Sequence, residues 1–226
     1  LLTRQIEPIV KTAKDEERIA LQTFHPTWFV KYCIKLFGRS EATAFLEGSM
    51  HAPPTCIRLN TLRASQEEIM ETLTGEGVKL EKIELLKHAY KVLSAKQPLT
   101  RTASYQKGLF YVQDKASCYA AEVADPKSKM TVLDVCAAPG AKTTYLAQLM
   151  HNQGVICSVD YSKRRMNVWK EEVSRMGVKM AEAVIADART SLPLTVEADM
   201  VVLDPPCTST GAFGRLPSAQ WRIPPQ

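Results

Sequence analysis

Thr131-Val132-Leu133-Asp134-Val135-Cys136-Ala137-Ala138-Pro139-Gly140-Ala141-Lys142 is the stretch on which the fold turns. It opens as a short aliphatic run, the pattern of a buried strand, passes through a loop of small residues, and enters a helical pattern at about Lys142. Comparable apolar runs follow at Val155–Val159, Ala183–Ile185 and Met200–Leu203, with a helical pattern over Lys163–Met176. Strands spaced by helices of roughly 10 to 15 residues imply βαβ units and a parallel sheet. The class expected is therefore α/β.

Upstream the pattern differs. Gly108–Val112 reads as a strand, and the helix after it carries Ala116, Tyr119, Ala120 and Val123 on one expected apolar face. Between 52 and 103 the chain mixes short strands, Thr55–Leu59, Val78–Ile83 and Tyr90–Leu93, with one helix. Ser65-Gln66-Glu67-Glu68 is a capping box that starts this helix, and Gly75 and Gly77 stop it. In the first 50 residues Phe29, Tyr32, Cys33, Leu36 and Phe37 form the i, i+3, i+4 stripe of an amphipathic helix, with Pro26 in its first turn and Gly38 at its C-terminal cap. Three zones result: helices over 1–50, a small α/β domain over 51–103, and the parallel sheet over 104–226.

Composition bounds the function. Of 226 residues, 45% are hydrophobic and 23% charged, as in ordinary globular proteins. No apolar run approaches the roughly 18 to 20 residues of a membrane span. The six cysteines are too sparse for a disulfide scaffold and none forms Cys-x-x-Cys, so neither disulfides nor a zinc site is expected. Reduced thiols point to a cytoplasmic protein. The net charge of +5, spread over both halves, is compatible with a nucleic-acid partner.

Ligands of open α/β sheets bind outside the carboxyl ends of the strands. Acids lie at all four ends: Asp134 within the first, then Asp160, Asp187 and Asp204. Asp160 follows Gly140 by the spacing that lets an acid reach ribose hydroxyls, and Asp187 falls where it can flank an adenine amine. The loop Cys136-Ala137-Ala138-Pro139-Gly140-Ala141-Lys142 lacks the upstream glycine of a phosphate-binding P-loop and the three glycines of a dinucleotide fingerprint. S-adenosylmethionine carries no phosphate and suits this set better. Asp204-Pro205-Pro206-Cys207 follows the fourth strand, and the prolines fix where acid and thiol point. A cysteine there suits methylation of pyrimidine carbon 5: a thiolate added at position 6 makes that carbon nucleophilic, with Asp204 near the ring nitrogen.

His25-Pro26-Thr27-Trp28, Ile57-Arg58-Leu59-Asn60-Thr61-Leu62, Val112-Gln113-Asp114-Lys115-Ala116-Ser117, Leu133–Thr144 and Asp204–Gly211 together resemble the Sun/RsmB-type RNA (cytosine-5) methyltransferases. The resemblance implies a Rossmann-like S-adenosylmethionine-dependent methyltransferase sheet preceded by a small RNA-recognition-like α/β domain and N-terminal helices. It also implies roles for site residues. The loop Cys136–Lys142 holds the methionine part of the cofactor, Asp160 binds the ribose with Arg165 beside it, Asp187 lies near the adenine, and Asp204 lies between cofactor and base. The family loop has a second glycine where Ala141 stands. The family also uses two cysteines: Cys207 corresponds to the one that helps release product, whereas the nucleophile belongs to a downstream Thr-Cys that this sequence does not contain. The sequence therefore reads as part of a longer protein.

Two other readings stay open. Cys207 itself is the nucleophile in the manner of Pro-Cys-loop cytosine methyltransferases, or the chain is a catalytically incomplete RNA-binding or assembly factor. The partner expected is RNA, ribosomal ahead of transfer RNA. No metal and no membrane are expected, and the protein is expected to be a monomer.

Overall fold

A computed structural model describes residues 8–195 and 197–222. These fall into two compact units, one of residues up to Pro53 with those from Cys207 onward, the other Pro54–Pro206. The expected division at residue 103 thus lies inside the larger unit, and the residues after Pro206 pack with the N-terminal helices.

The smaller unit contains α1 (Asp15–Thr23), α2 (Thr27–Phe37) and α3 (Arg39–Ser49), with 3-10 turns at Thr210–Ala212 and Pro217–Trp221. Ile19, Phe29, Val30, Cys33, Ala42, Leu46 and Phe213 form its core. His25 stacks on Phe29 with ring centroids 5.7 Å apart, and burial lowers its pKa. Pro26 occupies the N-cap of α2 and Gly38 its C-cap at φ 77°. The expected apolar stripe is only half used. Phe29 and Cys33 are buried, but Tyr32, Leu36 and Phe37 are exposed, because the neighbouring packing covers one side of α2 and leaves its C-terminal end open.

The larger unit holds two sheets. An antiparallel sheet of order β2-β3-β1-β4 comprises β1 (Cys56–Leu59), β2 (Lys79–Lys82), β3 (Ala89–Ser94) and β4 (Phe110–Val112). Its helix α4 (Gln66–Gly75) carries the expected capping box, and Ile69 and Leu73 pack against Ile57, Leu59 and Phe110. The second sheet is parallel, of order β7-β6-β5-β8, from β5 (Thr131–Val135), β6 (Val155–Asp160), β7 (Ala181–Ile185) and β8 (Met200–Leu203). After α5 (Ala103–Gln106), the helices α6 (Lys115–Ala124), α7 (Ala141–Leu149) and α8 (Lys163–Arg175) precede or link these strands. Val132, Ile156, Met166, Trp169, Tyr145 and Leu146 lie in their shared core. Strand order reverses between β5 and β8, and this switch point opens a crevice at the carboxyl edge.

Helix α6 turns a different face inward from the one expected. Tyr119 and Val123 are exposed, whereas Cys118 and Ala121 are buried. Polar anchors decide the orientation: Glu122 accepts the Tyr145 hydroxyl and the Lys87 amide, and Ser117 meets Gln113 and Lys142.

A polar seam joins the two sheets. Arg58 on β1 is fully buried, and its guanidinium donates to neutral side-chain acceptors. Its Nε donates to Gln113 Oε1 at 2.8 Å, Nη2 to Thr144 Oγ1 at 2.8 Å, and Nη1 to Gln148. It also lies 4.5 Å from the Tyr145 ring centroid, and burial lowers its pKa to about 10. Asn60 donates to the carbonyls of Gly108 and Met176, both at 2.8 Å. Buried polar groups stay buried only when so paired. Among the described residues, no helix is long and apolar enough to cross a membrane.

Candidate active site

Each of the four parallel strands delivers residues to one cavity at the carboxyl edge. Its volume is about 550 Å³, and it is lined by Cys136 after β5, Asp160 and Tyr161 at the end of β6, Ala186–Arg189 after β7, and Leu203, Pro205 and Pro206 around the end of β8. That volume lies in the range of small-molecule sites, roughly 300 to 1,000 Å³. The walls are mainly apolar, and Asp160 and Asp187 are the acids among them.

The acids have different partners. Asp160 is the most enclosed: its carboxylate accepts the Ser162 amide at 3.1 Å and the Ala138 amide at 3.3 Å, and pairs with Arg165 at 3.2 Å. Arg165 also donates to the Ala138 carbonyl. Asp187 takes a forked contact from Arg189, with Nε at 3.0 Å and Nη2 at 2.6 Å, and the arginine pulls its pKa down to about 2. Asp204 stands between cavity residues Leu203 and Pro205, and its Oδ2 accepts the Lys142 ammonium at 2.6 Å. The Asp204 side chain is 58% exposed and that of Lys142 16%, so the pair has a solvent-facing side.

Asp134 belongs to the helix-covered face behind the edge. Its Oδ2 accepts the Thr143 hydroxyl, which in turn accepts Trp169 Nε1 at 2.9 Å. Its Oδ1 is buried without a partner, and burial raises its pKa to about 6.

The loop Cys136–Lys142 divides its duties. Cys136 lines the cavity with φ at 63°. Ala137 and Ala138 are buried, and their amides tie the loop to Val159 O and Asp160. Pro139 is exposed and lines a separate groove of about 250 Å³. Gly140 has φ at 108°, and a Cβ there would come within 3.2 Å of Trp169 Cδ1, so glycine fits this turn best. Ala141 is the first residue of α7. The alanine in place of a second glycine therefore takes helical backbone, which it favours.

Cys207 is exposed, and the Ser209 amide donates to its Sγ at 3.3 Å. No disulfide joins the six cysteines, and the described residues contain no group of three or more metal-ligating side chains.

Two family models match the chain in succession. The N-terminal domain of 16S rRNA methyltransferase RsmF matches residues 26–115, and 16S rRNA methyltransferase RsmB/F matches 121–226. The second spans β5 to β8 and every edge residue above.

The chain belongs to the RsmB/F methyltransferase family.

Relatives agree with this membership of the RsmB/F family. A probable ribosomal RNA small subunit methyltransferase B of Bacillus subtilis is 33% identical over 210 residues, which are 92% of this chain and 46% of that protein. A tRNA (cytosine(72)-C(5))-methyltransferase of Pyrococcus horikoshii is 41% identical over 118 residues, 52% of this chain and 30% of that protein. The crystal structure of a methyltransferase homolog protein from Pyrococcus horikoshii superposes with a TM-score of 0.79 at 31% identity, covering 87% of this chain and 64% of that one. The chain spans about half the length, or less, of these curated relatives.

Sequence reasoning placed Asp160, Asp187, Asp204 and Cys136 at one edge, and the structure brings them there. It missed Tyr161 and Arg189 on the cavity wall, and the Gln113–Ser117 link behind Lys142. An aromatic directly after a strand-end acid is a usable signal for Tyr161. Gln113 and Ser117 lay within a quoted motif, but their partners lie far away in sequence.

Proposed function

We propose that the protein transfers a methyl group from S-adenosylmethionine to carbon 5 of a cytosine in RNA. The observation that carries this reading is the Lys142–Asp204 pair, held between cavity-lining residues and followed directly by Pro205-Pro206-Cys207.

The residues present fit S-adenosylmethionine. The cavity has the required size and a mainly apolar wall that includes two carboxylates, Asp160 and Asp187. Its loop has one constrained glycine, Gly140, rather than a phosphate cradle. Asp160 would face the ribose with Arg165 sharing its carboxylate, Asp187 and Tyr161 would flank the adenine, and the loop from Cys136 to Lys142 would hold the methionine end. When bound, the cofactor supplies a methyl group on a positively charged sulfur.

The chain's own residues then prepare the base. A carboxylate accepts a hydrogen bond from the exocyclic amine of cytosine, and Asp204 has a free side for this. Lys142, 2.6 Å from its Oδ2, keeps that carboxylate oriented. Cys207, with an amide hydrogen on its sulfur, is proposed as the thiol that assists product release. The thiol that adds to carbon 6 is then a second cysteine, as the family resemblance implies. Ribosomal RNA is proposed ahead of transfer RNA on the family models' description. The protein is proposed to act as a monomer in the cytoplasm.

The test is methyl transfer by the full-length natural protein from labelled S-adenosylmethionine to RNA. Label is expected on cytosine. Label confined to adenine or to protein would overturn the reading.

A further inference from the structure

We infer that Ser117 is a positioning residue for the reaction. It fixes the Lys142 ammonium on Asp204 and thereby ties the active edge to the buried seam between the sheets. This inference rests on the methyltransferase reading above.

The polar atoms form one continuous path. Arg58 Nε donates to Gln113 Oε1 at 2.8 Å, Gln113 Nε2 donates to Ser117 Oγ at 3.1 Å, Lys142 Nζ donates to the same Oγ at 3.1 Å, and Lys142 Nζ donates to Asp204 Oδ2 at 2.6 Å. Arg58, Gln113, Ser117, Lys142 and Asp204 come from β1, the β4–α6 connection, α6, α7 and the end of β8.

The chemistry dictates the direction of every bond. Arginine has only donors, so the Gln113 amide must turn its oxygen toward Arg58. Its NH₂ then faces Ser117 and must donate. Lysine also has only donors, so the Ser117 oxygen accepts twice, filling both lone pairs. The serine has no alternative orientation while Arg58 stays in place. Arg58 in turn is held by Thr144 and Gln148 and is fully buried.

The consequence falls on Lys142. A lysine has four rotatable side-chain bonds, and an exposed pair with a carboxylate gains little because ordering the chain opposes it. Here a second, immobile acceptor selects one position for the ammonium. Asp204, more than half exposed, inherits that orientation.

Ser117→Ala removes the acceptor and leaves a better helix former on α6. Ser117→Thr keeps the hydroxyl. In the full-length natural protein, kcat for methyl transfer is expected to fall about tenfold in Ser117→Ala, the equivalent of about 1.4 kcal/mol. KM for RNA and the calorimetric Kd for S-adenosylmethionine should stay near wild type, Tm should fall slightly because the buried Gln113 amide loses its acceptor, and Ser117→Thr should restore both kcat and Tm. A second readout needs no turnover: the side-chain ¹⁵N signal of Lys142 in lysine-labelled protein, assigned with Lys142→Arg. Hydrogen bonding slows its proton exchange, so it should be resolved in wild type and Ser117→Thr and broadened in Ser117→Ala.

An unchanged kcat in Ser117→Ala would overturn the inference, as would a loss that Ser117→Thr fails to rescue. Should the wild type methylate no cytosine, the functional reading falls, and the ¹⁵N signal decides the placement of Lys142 by itself: an identical signal in Ser117→Ala overturns it.

Discussion

At the seam between the two sheets, Arg58 is fully buried and meets neutral acceptors on Gln113, Thr144 and Gln148. At the carboxyl edge of the parallel sheet, Asp160, Asp187 and Asp204 each meet a cation. A buried charge satisfied by fixed neutral dipoles cannot be released without leaving a desolvated ion or desolvated acceptors. An ion pair with a solvent-facing side exchanges partners cheaply, because water screens both states. The seam therefore holds geometry, and the edge offers charges that a ligand can take over.

The contrast can be broken at either end. At the edge, Asp204→Ala should lower the methyl-transfer rate roughly a hundred- to a thousandfold, the scale of one lost hydrogen bond to the reacting group, with little change in Tm. At the seam, Arg58→Met should do the reverse: unfolding by urea is expected to show a loss of roughly 3 to 5 kcal/mol, since three buried acceptors lose their donor. A seam variant that spared stability would remove the distinction.

Asp134 sharpens it, because it is an acid behind the edge with no cation bound to it. Burial raises its folded pKa to about 6, above the ordinary aspartate value near 3.8. The stability tied to its protonated form is complete below about pH 4 and is lost as pH rises through 6, a swing of about 3 kcal/mol. Asp134→Asn should therefore be the more stable form above pH 6 and match wild type near pH 4, as read by unfolding across that range. The smallest effect is expected at the turn. Gly140→Ala should cost about 1 to 2 kcal/mol through its positive φ and the approach to Trp169, with a matching decrease in Tm.

The parallel sheet was legible because short apolar runs alternate with helical patterns, and in β5 and β6 burial favours such runs directly. The loop and its glycine were legible for a similar local reason. Partner choice was not. Lys142 and Asp204 are 62 residues apart, and Arg58 and Gln148 are 90 apart, so nothing local links them. The faces of α2 and α6 were misread because apolar counting ignores what lies opposite. Tyr119 and Val123 stay outside while Glu122 and Ser117 turn toward their partners.

The central claim is that the carboxyl-edge cavity takes S-adenosylmethionine through Asp160. Calorimetric titration of the cofactor into the full-length wild-type protein and into Asp160→Asn, which keeps the shape of the side chain, tests it most directly. The account predicts binding to wild type that weakens at least about tenfold in the variant, on the scale of a charge-assisted hydrogen bond. Equal affinity in the two proteins, or no binding to wild type, would contradict it.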